Sequence, residues 1–483
     1  MRLLNPVILL LAGLSFSSVA AYDLNKVTIK LGHPANSSIV HLPENRQLAV
    51  SGYSQFERWL TLVDLENFQA TGVSVPDDMQ FFDTATLAGT TIQQLVFLGE
   101  RGIRVLDPVT LQSRLLLETS SLYRVTDKSR LRRQKFVVSL GSELSDFLVA
   151  DFQQMHLYRQ QPDGAFKHYA LTLPSLVQSW RNQNEYEPRR YFTVDINRDG
   201  LPDLLFVQQG EFKAFLQQAD GSFPAEPVSP GWPLTLATEQ QADQRSDAGR
   251  SYSNANIDRL HDITDLDGDG LPDLVINREQ LADALERNTR FLVYFGRQTE
   301  QGLGYQAVAD TEIVTDTVPV NVEIADFNHD GKKDFYIAST HFGASTLIRV
   351  LLRGSANLDI DFYLLDEQRQ YQSKADLRHN ATINVSIGNF RYDMPLFISA
   401  DISGVGHKTL LAGEGRSELR LYAPDAKRLF SRRSERIKIP LPRDGSRALA
   451  MDLTGNGKED IILPFDAQDE EEYRNQLHLL LSR

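Results

Sequence analysis

One phrase recurs along the chain and limits what it can fold into. It reads DINRDGLPDLLF at 195–206, DLDGDGLPDLVI at 265–276, DFNHDGKKDFYI at 326–337 and DLTGNGKEDIIL at 452–463. Each copy is an acidic, glycine-containing turn, then an Asp, then a run of β-branched and apolar residues. A decayed copy, DISGVGHKTLLA, lies at 401–412. Upstream copies keep the frame without the acids. The segment from Asp146 to Phe166 aligns without a gap on that from Asp203 to Phe223, and fainter copies start at Gln47 and Gln94. The shared frame position falls at 47, 94, 146, 203, 273, 334, 409 and 460. A period of this size marks stacked supersecondary units that cannot bury their apolar faces alone.

Each unit holds a strand before the turn, one after it, and room for one or two more. Helical patterns are scarce, the best being Arg278 to Asn288, with Leu281 and Leu285 four apart. The expected fold is therefore all-β, a single closed β-propeller over 22–483 with eight blades, or seven if a weak N-terminal copy is a loop. The last copy runs out after two strands, the second near Leu477 to Leu481. Val27 to Leu31 could supply the missing outer strand and close the ring. The polar stretches Pro224 to Ser253 and Asn357 to His379 read as loops inside repeats.

The turns have the spacing of a calcium loop. In the richest copy Asp265, Asp267 and Asp269 occupy positions one, three and five. Gly270 allows the sharp turn, Leu271 offers a carbonyl at seven, and Asp273 stands at nine. Hard oxygens at alternate positions suit a calcium-sized ion better than magnesium, which keeps its waters. An EF-hand needs a Glu at twelve, but position twelve is Phe206, Ile276, Ile337 or Leu463. The ion is thus expected between strands. The equivalent sets are Asp195, Asn197, Asp199, Leu201 and Asp203, then Asp326, Asn328, Asp330, Lys332 and Asp334. Asp452, Thr454, Asn456, Lys458 and Asp460 hold only two carboxylates. Three calcium sites are expected, a fourth is possible, and the Asp401 copy is structural.

These loops resemble the FG-GAP repeats of the integrin α-subunit head and the VCBS repeats of secreted bacterial proteins. Phe295-Gly296 and Phe342-Gly343 are similar to the Phe-Gly half of that name. The resemblance implies a propeller in which each loop joins two strands of one blade and binds calcium opposite the usual ligand face. It implies no activity.

Residues 1–21 read as a cleaved signal peptide. Arg2 precedes an apolar run from Leu3 to Leu14, and small residues end at Ala20 or Ala21. The run is too short to span a membrane. A secreted or periplasmic chain follows, and without cysteine it has neither a lipid-modified N-terminus nor disulfides. With 50 Lys and Arg against 64 Asp and Glu, its net charge of −14 argues against nucleic acid as partner. No catalytic motif appears. His33, His41, His156, His168, His261, His329, His341, His379, His407 and His478 are scattered, and Trp59, Trp180 and Trp232 read as packing residues before sugar platforms. The expected function is a binding or scaffold module for a protein or glycan. The alternative is a polysaccharide lyase or hydrolase on the same ring.

Overall fold

The computed structural model describes residues 22–483 except 56, 126–128, 181–182, 243–254, 282–286, 342–343 and 387–390. Residues 1–21, expected to be a signal peptide, and Phe342-Gly343 lie outside the described residues.

The chain forms an eight-bladed β-propeller. Blades 1 to 3 use strands within 39–73, 79–133 and 137–171. Blade 4 is built from Tyr191–Val194, Asp203–Gln208 and Glu211–Phe215, with Val228 bridged to Ala214 at its edge. Blade 5 pairs Ala255–Thr264, Asp273–Leu281, Arg287–Tyr294 and Thr311–Thr315. Blade 6 runs from Val318–Ala325 to Arg391–Asp393, and blade 7 from Phe397–Ala400 to Leu429–Lys438. Every repeat frame position falls in the second strand of its blade, at or within one residue of its start.

Blade 8 closes the ring. Leu449–Met451, Asp460–Pro464 and Gln476–Ser482 are completed by Leu24–Lys30, which pairs antiparallel with the last strand from Leu24↔Ser482 to Lys30↔Gln476. The closing strand starts three residues earlier than expected. Apolar clusters fill all the junctions between neighbouring blades. The junction of blades 8 and 1 holds Ile29, Leu48, Val50, Ile462 and Leu477. Such a ring leaves only short sheet edges to solvent.

Two sequence expectations fail here. The described parts of Arg278 to Asn288 are not helical. Arg278–Leu281 and Arg287–Asn288 are strand, paired across a hairpin as Leu281↔Arg287, with 282–286 outside the described residues. Cross-strand ion pairs, Arg278 with Asp258 at 2.7 Å and Arg259 with Glu279 at 3.1 Å, hold the extended ladder against the weak helical spacing. Nor is Asn357 to His379 one loop. Ser355–Tyr363 and Leu377–Ser386 are blade 6 strands, and only 364–376 turns between them. Trp232 is a packing residue, buried with Nε1 donating to the Leu303 carbonyl.

The antiparallel ladders put the acidic turns, which join first to second strands, on one face of the ring. Connections between second and third strands, and between blades, emerge on the other. That face carries the Leu176–Trp180 and Gln183–Glu187 hairpin, the extended ends of blade 5, and a helix at Ala344–Arg353.

Candidate metal loops

All four acidic turns, and the decayed one, share one conformation. The position-one Asp is its hub. Asp265 accepts from the Gly268 and Gly270 N–H groups at 2.8 and 2.9 Å. Asp195 accepts from Asp199 and Gly200, Asp326 from His329, Asp330 and Gly331, and Asp452 from Gly455, Asn456 and Gly457. Gly270 has φ +81°, a left-handed conformation that glycine adopts without strain. The position-five side chain turns inward. Asp199, Asp269 and Asp330 each accept from the N–H two residues on. Asp401 accepts from Gly404, Val405 and Gly406, so the decayed copy folds the same way. The fold of the turn is written in Asp, Gly and backbone N–H groups.

The blade 5 loop brings carboxylates together. Asp265, Asp267 and Asp269 each place an oxygen within 4.8 Å of the others. A hard-oxygen set of that size fits a calcium ion. In the blade 4 and 6 loops an amide takes one place: Asn197 donates to Asp199 at 2.9 Å and Asn328 to Asp330 at 3.1 Å. In blade 8 Asn456 is engaged elsewhere, donating to the Ser482 carbonyl at 2.9 Å, and the Lys458 ammonium donates to the Arg483 carbonyl. Leu201, Leu271, Lys332 and Lys458 hold position seven.

Asp203, Asp273, Asp334 and Asp460, at position nine, brace the turn. Each is fully buried. One oxygen accepts from the position-two N–H of its own loop: Ile196, Leu266, Phe327 or Leu453. The other accepts from an N–H beyond or at the end of the third strand: Gln217, Gly296, Leu365 or Ser482. Burial pushes Asp203 up to about 6 and Asp273 and Asp334 to about 7, against the pull of these N–H groups and with added push from the loop carboxylates. Asp460 is raised by the same burial. Asp146 keeps the strut in blade 3 without an acidic loop. Gln160 N–H donates to Oδ1 at 2.8 Å, and the Arg159 guanidinium takes Oδ2 at 3.1 Å.

Sequence reasoning missed a cation on the richest loop. The turn at 366–370 of blade 6 sends Arg369 to blade 5, where its guanidinium pairs with Asp267 and lies 3.8 Å from Asp269. It covers the Phe295 ring at 4.1 Å. Asp366 fixes that turn by accepting from the Gln368 and Gln370 N–H groups. No local pattern could announce this contact, because the partners are about a hundred residues apart. The loop richest in charge therefore carries its own counter-ion. If this loop takes calcium, Arg369→Gln should raise its affinity for the ion about five-fold or more, since two unit charges 4 Å apart interact by about 1 kcal/mol even in water. Titration of wild type, Arg369→Gln and an Arg369→Lys control with calcium checks this. Equal affinities in all three would show that the guanidinium does not compete.

The loops also touch each other. Lys333 N–H donates to the Leu266 carbonyl, Glu459 N–H to the Asp401 carbonyl, and His329 packs on His407 at 4.8 Å. Near the axis, first-strand residues of blades 2 to 5 enclose a polar cavity of about 610 Å3. Its wall includes Asp83 paired with Arg133, Asp262 paired with Arg190, and Lys135, Tyr123 and Tyr191.

The FG-GAP-like repeat family matches residues 265–337, which span the blade 5 and blade 6 loops. The chain is a propeller carrying FG-GAP-like repeats. Among the curated proteins, none matches this chain. Among solved structures, the chain is similar to an Agrocybe aegerita lectin that recognises non-reducing terminal N-acetylglucosamine, at 13% identity over 87% of this chain and 91% of that one, with a TM-score of 0.41. It is similar to the Dos1 propeller at 8% identity over 94% and 95%, with a TM-score of 0.42. It is also similar to the Vibrio cholerae biofilm matrix protein Bap1 at 11% identity over 93% and 77%, with a TM-score of 0.27. No helix among the described residues is long and apolar enough to cross a membrane.

Proposed function

We propose that this propeller is an exported, calcium-stapled binding module whose ligand is a protein or a glycan. The observation that carries the reading is the division of labour between faces. The acidic loops form a hydrogen-bonded belt on one face, while the hairpin, the blade 5 extension and the helix elaborate the other. A ring of small sheets supplies a rigid platform, and recognition belongs to the insertions it displays. The ions hold the first face. Asp265, Asp267 and Asp269 hold one, and the blade 4 and 6 loops hold two more through Asp195, Asn197 and Asp199, and Asp326, Asn328 and Asp330. Export fits the leader-like segment before residue 22.

Calcium then acts as a staple in a chain without disulfides. Extracellular sites of this kind have dissociation constants of roughly 0.1–1 mM. At about 1 mM free calcium each site stabilises the fold by roughly 0.4–1.4 kcal/mol. Melting in calcium and in excess chelator tests this. A clear fall on chelation is expected, and an unchanged melting temperature would remove the staple. Glycan-array binding and pull-down from extracellular milieu, each with folded protein in both conditions, identify the ligand class.

A further inference from the structure

The helix Ala344–Arg353 is mounted with its apolar side outward. It interrupts blade 6 between Asp334–Thr340 and Ser355–Tyr363, on the face opposite the acidic loops. Its sequence, ASTLIRVLLR, is strongly amphipathic. An amphipathic helix normally turns its apolar stripe to the core. Here Ile348, Leu351 and Leu352 are 55, 61 and 80% exposed, while Val350 and Thr346 are half-buried. Both arginines, Arg349 and Arg353, are exposed beside them, and the helix contains no acidic residue. A cationic, apolar ridge thus stands on a chain of net charge −14. Surface apolar residues scattered singly need no explanation, but three together on one helical face do.

We propose that this helix docks the propeller onto an anionic lipid surface. Two features choose the occupant. At 80% exposure Leu352 protrudes from the surface and does not line a groove, so what covers it must yield around it. The flanking arginines need negative charge beside that apolar region. The headgroup boundary of an anionic bilayer offers both, accepting aliphatic side chains at its acyl edge and basic ones among its phosphates. The helix would lie in the plane of the surface, with the calcium belt on the far side of the ring. One short helix gives weak, reversible contact, which suits a soluble module held near a membrane while its other insertions remain free.

Vesicle flotation with the full-length mature chain tests this. The probes are vesicles of pure phosphatidylcholine and vesicles containing equal parts phosphatidylglycerol. Wild type should float with the anionic vesicles and not with the neutral ones, and high salt should release it. Arg349→Gln/Arg353→Gln should weaken binding about ten-fold or more. Leu351→Ser/Leu352→Ser should abolish it, with an unchanged melting temperature in both variants because the changed side chains are exposed. Absence of flotation, or equal flotation of wild type and the arginine variant, overturns the proposal. So does a dimer in light scattering that the leucine variant splits, since a second copy would then be the occupant. The arginine variant decides the case if the leucine variant misfolds.

Discussion

Ile29→Asp should unfold the ring or cost it about 4 kcal/mol or more, the scale of an unpaired charge forced into an apolar core. Ile29 is 2% exposed and lies opposite Leu477 in the strand that completes blade 8. It packs in the cluster joining blades 8 and 1, so the charge would meet a junction made by two ends of the chain. Loss of this strand also bares the edge of Gln476–Ser482, a template for aggregation. Thr28→Asp is the control. Thr28 points to solvent in the same strand, and its change should stay within about 0.5 kcal/mol. Denaturant midpoints and size-exclusion profiles of the two variants give the answer. If they melt alike, the N-terminal strand is an ornament and the propeller is held by its other seven junctions.

The ring closure was legible in the sequence because the repeat ends short and the missing strand is supplied from far upstream. The repeat frame carried the blade count for the same reason: its anchor residue is fully buried in six of eight copies, and burial constrains residue type. Asp146 shows how the frame outlives its chemistry. The strut keeps its strand-end N–H, and Arg159 replaces the loop. What the sequence could not show is what crosses between blades. Arg369 reaches Asp267 through a turn whose residues look like any polar loop. The outward helix was hidden differently. Its periodicity is strong, but periodicity gives a stripe and not the direction the stripe faces. The spacing at Leu281 and Leu285 misled for the opposite reason: Leu281 pairs with Arg287 in a strand ladder held by cross-strand ion pairs, and position 285 lies outside the described residues.

Asp273 separates the strut from the ligand. Asp273→Ala removes the acceptor for two buried N–H groups, those of Leu266 and Gly296, and should cost about 3 kcal/mol in calcium-free buffer. Asp273→Asn keeps one acceptor and should lose about half as much. The pH dependence then reports the charge. In the folded protein burial raises this carboxyl to about 7, well above its unfolded value near 4. A group raised in this way contributes stability at low pH and loses it as pH rises through the folded value. Without calcium, the advantage of wild type over Asp273→Asn should therefore be larger at pH 5 than at pH 8. If the loop holds calcium as proposed, the ion should reverse that trend, because it takes the place of the proton and would bind the ionised loop best at pH 8. Denaturation of both proteins at the two pH values, with and without calcium, measures all four differences. A wild-type advantage that ignores pH without calcium would mean that Asp273 is ionised throughout. An advantage that calcium leaves untouched at pH 8 would make position nine a strut alone, and would leave the ion to Asp265, Asp267 and Asp269.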